Sequence, residues 1–293
     1  MRVLSDPAEF RQACRAAAGS GDLGLVPTMG ALHAGHMALV AASRACDAVT
    51  AVSIFINPLQ FGPQEDLARY PRSLASDLAQ LQAAGVSLVF APAPTAMYPP
   101  GFATTVEVAD LSGRLCGASR PGHFRGVATV VLKLLLLAAP RRAYFGQKDA
   151  AQVAILRRMG RDLDLDLEIR VQPIVRESDG LALSSRNAYL VPAERPAALG
   201  LSRSLSAIRR CFESGELHTA SLLAAGLAVL AATPGLRLDY LEAVDADTLQ
   251  PVPRAGANTL FAVAGFVGST RLIDNLLIGP DGLPAPGSPP GTA

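Results

Sequence analysis

The sequence predicts an α/β protein, a doubly wound parallel sheet followed by a second, smaller α+β domain. Three observations carry that expectation. Over the first two-thirds of the chain, short apolar, β-branched runs alternate with stretches of helical length, the pattern of parallel strands joined by crossover helices. The alternation stops near Pro173 to Arg186, after which two helical stretches precede three strand-like ones. Half of the 293 residues are hydrophobic and 17% are charged, enough apolar surface to build both cores.

The elements follow in order. LGLVPTM (23–29) reads as the first strand, then a turn and an apolar helix around 34–45. AVTAVSIFI (48–56) is a β-branched strand stopped by Asn57-Pro58. A helix near 73–84 leads to the strand VSLVFAP (86–92). GVATVVLKLLLLAA (126–139) reads as a buried helix and RRAYFG (141–146) as a strand. Helical composition resumes after Lys148, and LEIRVQPIV (167–175) is a further strand. Beyond it come helices at 193–213 and 217–231 and strands at 238–246, 259–268 and 270–278. The expected boundaries are a first domain over 1–174, a second over 175–280, and a Pro/Gly/Ser-rich tail, 281–293, expected to be disordered.

Composition excludes several classes of partner. Basic and acidic residues balance at 26 and 25, leaving a formal charge of +1 and no basic excess for nucleic acid. The longest apolar run, Val127 to Ala139, falls short of the roughly 20 residues of a bilayer span and carries Lys133, so no membrane segment is expected. Cys14, Cys46, Cys116 and Cys211 lack CxxC spacing, and the N-terminus has no apolar secretory core. A cytoplasmic protein with reduced thiols is expected. Only Lys133 and Lys148 are lysines among the 26 basic residues, which singles each of them out. Lys133, within an apolar helix, is expected to snorkel or pair.

Four segments carry candidate chemistry. P-T-M-G-A-L-H-A-G-H (27–36) sits where the first strand meets the next helix. His33 and His36, three apart, are expected on one face of the opening helical turn, where free N–H groups and the helix dipole favour phosphate. Gly30 and Gly35 let a ligand approach the backbone. By itself the pair fits a helix cap equally well; as a zinc site it lacks a third ligand. F-G-Q-K-D (145–149) puts Lys148 at a later strand end as a point charge for phosphate. D-G-L-A-L-S-S-R-N (179–187) offers two hydroxyls and Arg186 as an anion-binding loop. S-I-F-I-N-P-L-Q-F (53–61) offers the neutral amide of Gln60.

In this order, and together with P-G-H-F-R-G-V-A-T-V-V-L-K-L (121–134), these segments resemble the pantothenate synthetase family over most of positions 20–280. H-A-G-H resembles the signature of a wider group of adenylyl-transferring α/β enzymes. The resemblance implies a Rossmann-like catalytic domain, a C-terminal lid and a homodimer. It implies a reaction in which ATP and pantoate give pantoyl adenylate and pyrophosphate, after which the amine of β-alanine releases pantothenate and AMP.

Carried over by motif, Met29, Gly30, Ala31, Leu32, His33, Ala34, Gly35 and His36 line the ATP site, with His36 as proton donor and His33 beside it on the phosphates. Gln60 and Gln152 hold pantoate, with Gln60 also near β-alanine. Gly146, Gln147, Lys148 and Asp149 contact ATP, Val175 meets adenine through its backbone, and Leu183, Ser184, Ser185 and Arg186 close over the triphosphate. His33, His36, Lys148 and Arg186, together with Mg²⁺, offset the charge that develops at phosphorus.

The chain departs from the family pattern at Gln147, where Glu is usual, and at Ala150 and Ala151. Ser76 precedes Asp77 where consecutive acidic residues are common, so Mg²⁺ is expected to rest mainly on ATP oxygens and water. His123 is read equally as a cap, a packing residue or a ligand contact, and His218 as a surface residue. Two rivals remain on sequence: another HxGH nucleotidyltransferase, which leaves Gln60 and Gln152 without a task, and a non-catalytic ATP-binding protein. Retention of His33, His36, Lys148 and Arg186 together speaks against the second.

Overall fold

A computed structural model describes the chain except Ser20, Gln64, Pro280, Gly282, Pro284, Pro286 and residues 288–293. It separates into two compact units. The first comprises Met1–Gly113, Arg120–Gly146 and Ile155–Gln172; the second comprises Arg114–Ser119, Gln147–Ala154 and the chain from Pro173.

The first unit is built on six strands: β1 (Arg2–Leu4), β2 (Leu23–Thr28), β3 (Val49–Ile54), β4 (Leu88–Phe90), β5 (Arg142–Gly146) and β6 (Glu168–Gln172). All pair in parallel, in the order β1-β4-β3-β2-β5-β6. The chain runs outward from β2 to β4 on one side and from β5 to β6 on the other. The topological switch point therefore lies between β2 and β5, whose carboxyl ends are Thr28 and Gly146; ligands of open α/β sheets bind at such a point. Pro27 sits inside β2 without breaking the ladder. Leu23 accepts from Arg141 N on the β5 side, alternation turns Pro27 to that same side, and the β2–β5 pairing ends at Leu25.

Strand alternation sends the helices to opposite faces. Leu39 and Val40 of α2 (Ala34–Cys46) and Leu81 of α3 (Leu74–Ala83) share a core with Val26, Val52 and Val89. On the other face Phe10 of α1 (Pro7–Ala18) stacks on Phe90, ring centroids 4.4 Å apart. A short α4 (Pro94–Met97) precedes α5 (Cys116–Ser119), and α6 (His123–Ala138) is apolar almost all round and buried accordingly. Lys133, half-buried in α6, lies 4.8 Å over the Phe102 ring, so the expected pairing is a cation–π one. α7 (Ala150–Asp162) links β5 to β6.

The doubly wound reading holds, with differences at its edges. β1 and α1 add a strand–helix pair before the first expected strand. β4 is shorter than 86–92, and α6 begins at His123 because Gly122, left-handed with φ 81°, starts it.

The second unit carries α8 (Arg195–Glu213), α9 (Thr219–Ala231) and an antiparallel sheet of β7 (Leu236–Asp245), β8 (Thr259–Val267) and β9 (Thr270–Leu277). Leu201, Leu205 and Ile208 of α8 and Leu222 of α9 pack with Phe261, Val263 and Leu276 of the sheet. Of the tail expected to be disordered, Gly282, Pro284, Pro286 and 288–293 lie outside the described residues. Ala285 N donates to Leu277 O (2.8 Å), and Gly287 O accepts from Arg176 (2.9 Å). Among the described residues no helix is long and apolar enough to cross a membrane.

Candidate functional site

The loop leaving β2 is held by polar groups drawn from far along the chain. Thr28 Oγ1 donates to Ser53 O (2.7 Å) and accepts from Gly30 N (3.2 Å). Gly30 (φ 82°) and Ala31 (φ 50°) are both left-handed, a conformation that costs a residue with a side chain of order 1–2 kcal/mol. Asp77 of α3 offsets that cost. Only 1% exposed, it accepts from Ala31 N and Leu32 N at 2.9 Å each and from Ser73 Oγ at 3.1 Å. A Cβ on Gly30 would stand 3.0 Å from an Asp77 oxygen, so glycine is needed for space as well as for φ.

The two imidazoles close the start of α2. His33 is its N-cap, one residue outside the helix and not within its first turn as expected. Gly35 N donates to His33 Nδ1 (3.1 Å), and His33 N donates to His36 Nδ1 (3.3 Å), a capping box made from two histidines. Their ring centroids are 4.1 Å apart. A Cβ on Gly35 would lie 2.9 Å from the His33 ring, which is why the position between the histidines is glycine. Because each Nδ1 accepts a backbone N–H, the proton of each neutral ring sits on Nε2. The cap reading and the phosphate reading are thus compatible: Nδ1 builds the helix start, and the ring's proton is on the other nitrogen.

Gln60, in the 3-10 turn Pro58–Gln60 after β3, joins this loop. Its Oε1 accepts from Asn57 Nδ2 (3.0 Å), and its Nε2 lies 3.0 Å from Met29 Sδ. Asn57, 1% exposed, also accepts from Tyr98 (2.7 Å) and donates to Gly126 O (3.1 Å). Within the first unit, then, Met29–His36 and Gln60 form one cluster.

The second unit gathers most of the remaining predicted residues. The turn Gln147–Asp149 follows β5, and Lys148 Nζ donates to Leu183 O (3.0 Å). Among the described residues Lys148 pairs with no carboxylate, and its hydrogen-bond partner is that carbonyl. Gln147 is buried, with Nε2 donating to Asn275 Oδ1 (3.2 Å), while Asn275 Nδ2 donates to the carbonyls of Gln147 (2.9 Å) and Lys148 (3.0 Å). The Gln147 amide is thus engaged with Asn275 in place of solvent.

Leu183 N donates to Val175 O (3.0 Å), and Gly180 (φ 93°) turns the chain between them. Ser184 caps the turn Ser185–Tyr189 by accepting from Arg186 N (3.3 Å). Asn187 ties the loop to Glu177 (2.7 Å) and Ala182 O (3.1 Å), and Arg195 spans Glu177 (2.6 Å) and Asp179 (2.8 Å). That ion pair, against a smaller opposing effect of burial, holds the Asp179 carboxyl below its usual range. Gln152 is half-buried in the first turn of α7, Asp149 is exposed, and His218 is exposed as expected.

Sequence reasoning missed Asp77 as the pin of the histidine loop, and Asn57 and Asn275 as braces. The signals were present: Ser73 and Asp77 at i, i+4 opening a helix, and Asp274-Asn275 as consecutive polar residues between the apolar pairs Leu272-Ile273 and Leu276-Leu277. With both Asp77 oxygens committed to backbone and Ser73, that carboxylate does not fit a Mg²⁺ ligand. Among the described residues no group of three His, Cys, Asp or Glu side chains is placed to hold a metal.

A family model described as pantoate-beta-alanine ligase matches residues 2–277. The chain belongs to that family. It is 59% identical over 262 residues to the pantothenate synthetase of Acidobacterium capsulatum, covering 89% of this chain and 87% of the relative. With the pantothenate synthetase of Koribacter versatilis it shares 53% identity, covering 95% of this chain and 96% of the other. The crystal structure of pantothenate synthetase from Thermus thermophilus superposes with a TM-score of 0.91 at 50% identity, over 96% of this chain and all (100%) of that one. A pantoate-beta-alanine ligase from Francisella tularensis, solved with beta-gamma ATP and beta-alanine, gives a TM-score of 0.76 at 32% identity, over 94% and 97%. The architecture is that of the pantoate–β-alanine ligase family.

Proposed function

We propose that the chain condenses pantoate with β-alanine using ATP, through a pantoyl adenylate. A carboxylate is a poor electrophile. In the first step a pantoate carboxylate oxygen attacks the α-phosphorus, the bond to the β-phosphate oxygen breaks, and pyrophosphate leaves. In the second, the β-alanine amine attacks the acyl carbon, AMP leaves with the shared oxygen, and the amine gives up a proton.

The observation that carries this reading is the cluster in the first unit: two Nε2–H imidazoles at a helix N-terminus, with the neutral amide of Gln60 against Met29 of the same loop. Donors that strengthen as charge grows on phosphoryl oxygen stand beside an amide suited to a hydroxy acid. ATP is assigned to Met29–His36, to Gly146–Asp149 with Lys148 on the phosphates, to the Val175 backbone and to Leu183–Arg186. Pantoate is assigned to Gln60 and Gln152. His33 and His36 act as neutral hydrogen-bond donors, and Lys148 and Arg186 as fixed charges. No nucleophilic side chain is required. Mg²⁺ enters as part of the Mg·ATP substrate, on phosphate oxygens and water. A cytoplasmic homodimer completes the reading; the described cysteines are all free thiols, which suits a reducing compartment.

The test is to follow AMP and pyrophosphate while pantoate and then β-alanine are supplied with Mg·ATP. The expected outcome is pantoate-dependent pyrophosphate release and stoichiometric AMP and pantothenate once β-alanine is added. No AMP with both present overturns the proposal.

A further inference from the structure

Gln60 is anchored at its main chain as firmly as at its amide. His123 Nδ1 lies 2.8 Å from Gln60 O, and an Arg120 terminal nitrogen donates to the same oxygen at 3.2 Å. The other Arg120 terminal nitrogen lies 3.0 Å from His123 Nε2. A carbonyl only accepts and a guanidinium only donates, so His123 holds its proton on Nδ1 and accepts at Nε2. Both ring nitrogens are thereby engaged by the protein, which accounts for His123 without a ligand. Glu65 in turn grips Arg120, through Nε at 2.8 Å and through a second, shorter contact. Burial pushes the Glu65 carboxyl up, but Arg120 outweighs it and holds the group below its ordinary range, so the grip persists at neutral pH.

The same segment presses on the turn from behind. A Cβ on Gly126 would fall 2.2 Å from Leu59 O and 2.7 Å from Gln60 N, so α6 and the Pro58–Gln60 turn are in backbone contact. R-P-G-H-F-R-G (120–126) thus acts as a mould for one turn, and the only side chain that turn contributes to the site is Gln60.

We propose that Arg120 and His123 are positioning residues for the substrate hydroxy acid, acting through the Gln60 carbonyl to fix where its amide is presented. This rests on the reading that Gln60 holds pantoate. The clamp sets recognition of the acid and leaves ATP binding alone.

Isosteric replacement of the imidazole tests it in the full-length enzyme. Asn places its amide nitrogen where imidazole has Nδ1, so His123→Asn keeps the donor to Gln60 O. Gln reaches the Nε2 position, so His123→Gln loses that donor while its amide oxygen can still accept from Arg120. The expected KM for pantoate rises about tenfold or more in His123→Gln and stays within about threefold in His123→Asn, with KM for ATP within about twofold in both. On a Gln60→Ala background, His123→Gln should add less than about twofold, because its effect runs through the missing amide. Should His123→Gln fail to fold, Glu65→Gln loosens Arg120 from outside and should raise the same KM about threefold.

An unchanged pantoate KM in His123→Gln, equal losses for both substrates, or a full effect on the Gln60→Ala background would each overturn the clamp. A wild-type enzyme that forms no AMP from pantoate overturns the function reading instead, so the two failures are distinguishable.

Discussion

His33 and His36 on one side, and His123 on the other, are the same side chain put to opposite uses within one unit. At the start of α2 each Nδ1 accepts a backbone N–H, which leaves the proton on Nε2. At the start of α6 Nδ1 meets a carbonyl and Nε2 a guanidinium, so the proton is on Nδ1 and both nitrogens serve the protein. Which nitrogen of a histidine near a helix start carries the proton is thus decided by what faces Nδ1. A backbone donor there puts the proton on Nε2; a backbone acceptor keeps it on Nδ1.

The sharpest break of that comparison is at the donors. His36→Ala and Lys148→Ala should each lower turnover about 100-fold or more, as lost transition-state donors do, measured as AMP release under saturating substrates. The isosteres should reverse their order between the sites. His36→Gln, which restores a donor at Nε2, should exceed His36→Asn by about tenfold, whereas Asn is the better substitute at His123. The same order at both sites would merge the two roles.

A smaller effect is expected behind the brace. Gly126→Ala forces a methyl into the Leu59 carbonyl and should destabilise the fold by about 1–3 kcal/mol, with KM for pantoate rising and KM for ATP unmoved. Thermal melting and both KM values check it. The smallest effect concerns pH. Glu65, held below its ordinary 4.5, stabilises the fold above that value and loses its contribution as pH falls through its lower folded value. Glu65→Gln should therefore be about 1 kcal/mol less stable than wild type at pH 7, and the gap should narrow and close as pH is lowered from 4.5 through that folded value, seen in urea midpoints across an acid series.

Much of the fold was legible because the strands are dense β-branched runs with turn chemistry between them. β1 and α1 were not: three strand residues with Leu4 alone buried give no period, and α1 shows the core only Phe10, Ala13 and Cys14. A start signal did exist in Asp6-Pro7, whose carboxylate caps Ala8 N (2.8 Å) and Glu9 N (2.9 Å). The architecture of the candidate site was legible where it is local, as in the helix start at H-A-G-H and the turn at S-S-R-N. It was not where support is distant: Asp77 reaches Ala31 from another helix, and Asn275 reaches Gln147 from the far end of the chain. Gln147 shows where local reading fails. Beside Lys148 it read as a lost charge, yet its amide is committed to Asn275.

The proton positions on the imidazoles test the central claim most directly. Long-range ¹H–¹⁵N spectra of the uniformly labelled chain at about pH 8, above the imidazole range, resolve the tautomer of each of four histidines, assigned by single His→Gln variants. The account predicts Nε2–H for His33 and His36 and Nδ1–H for His123. A proton on Nδ1 of His36, or on Nε2 of His123, would contradict it.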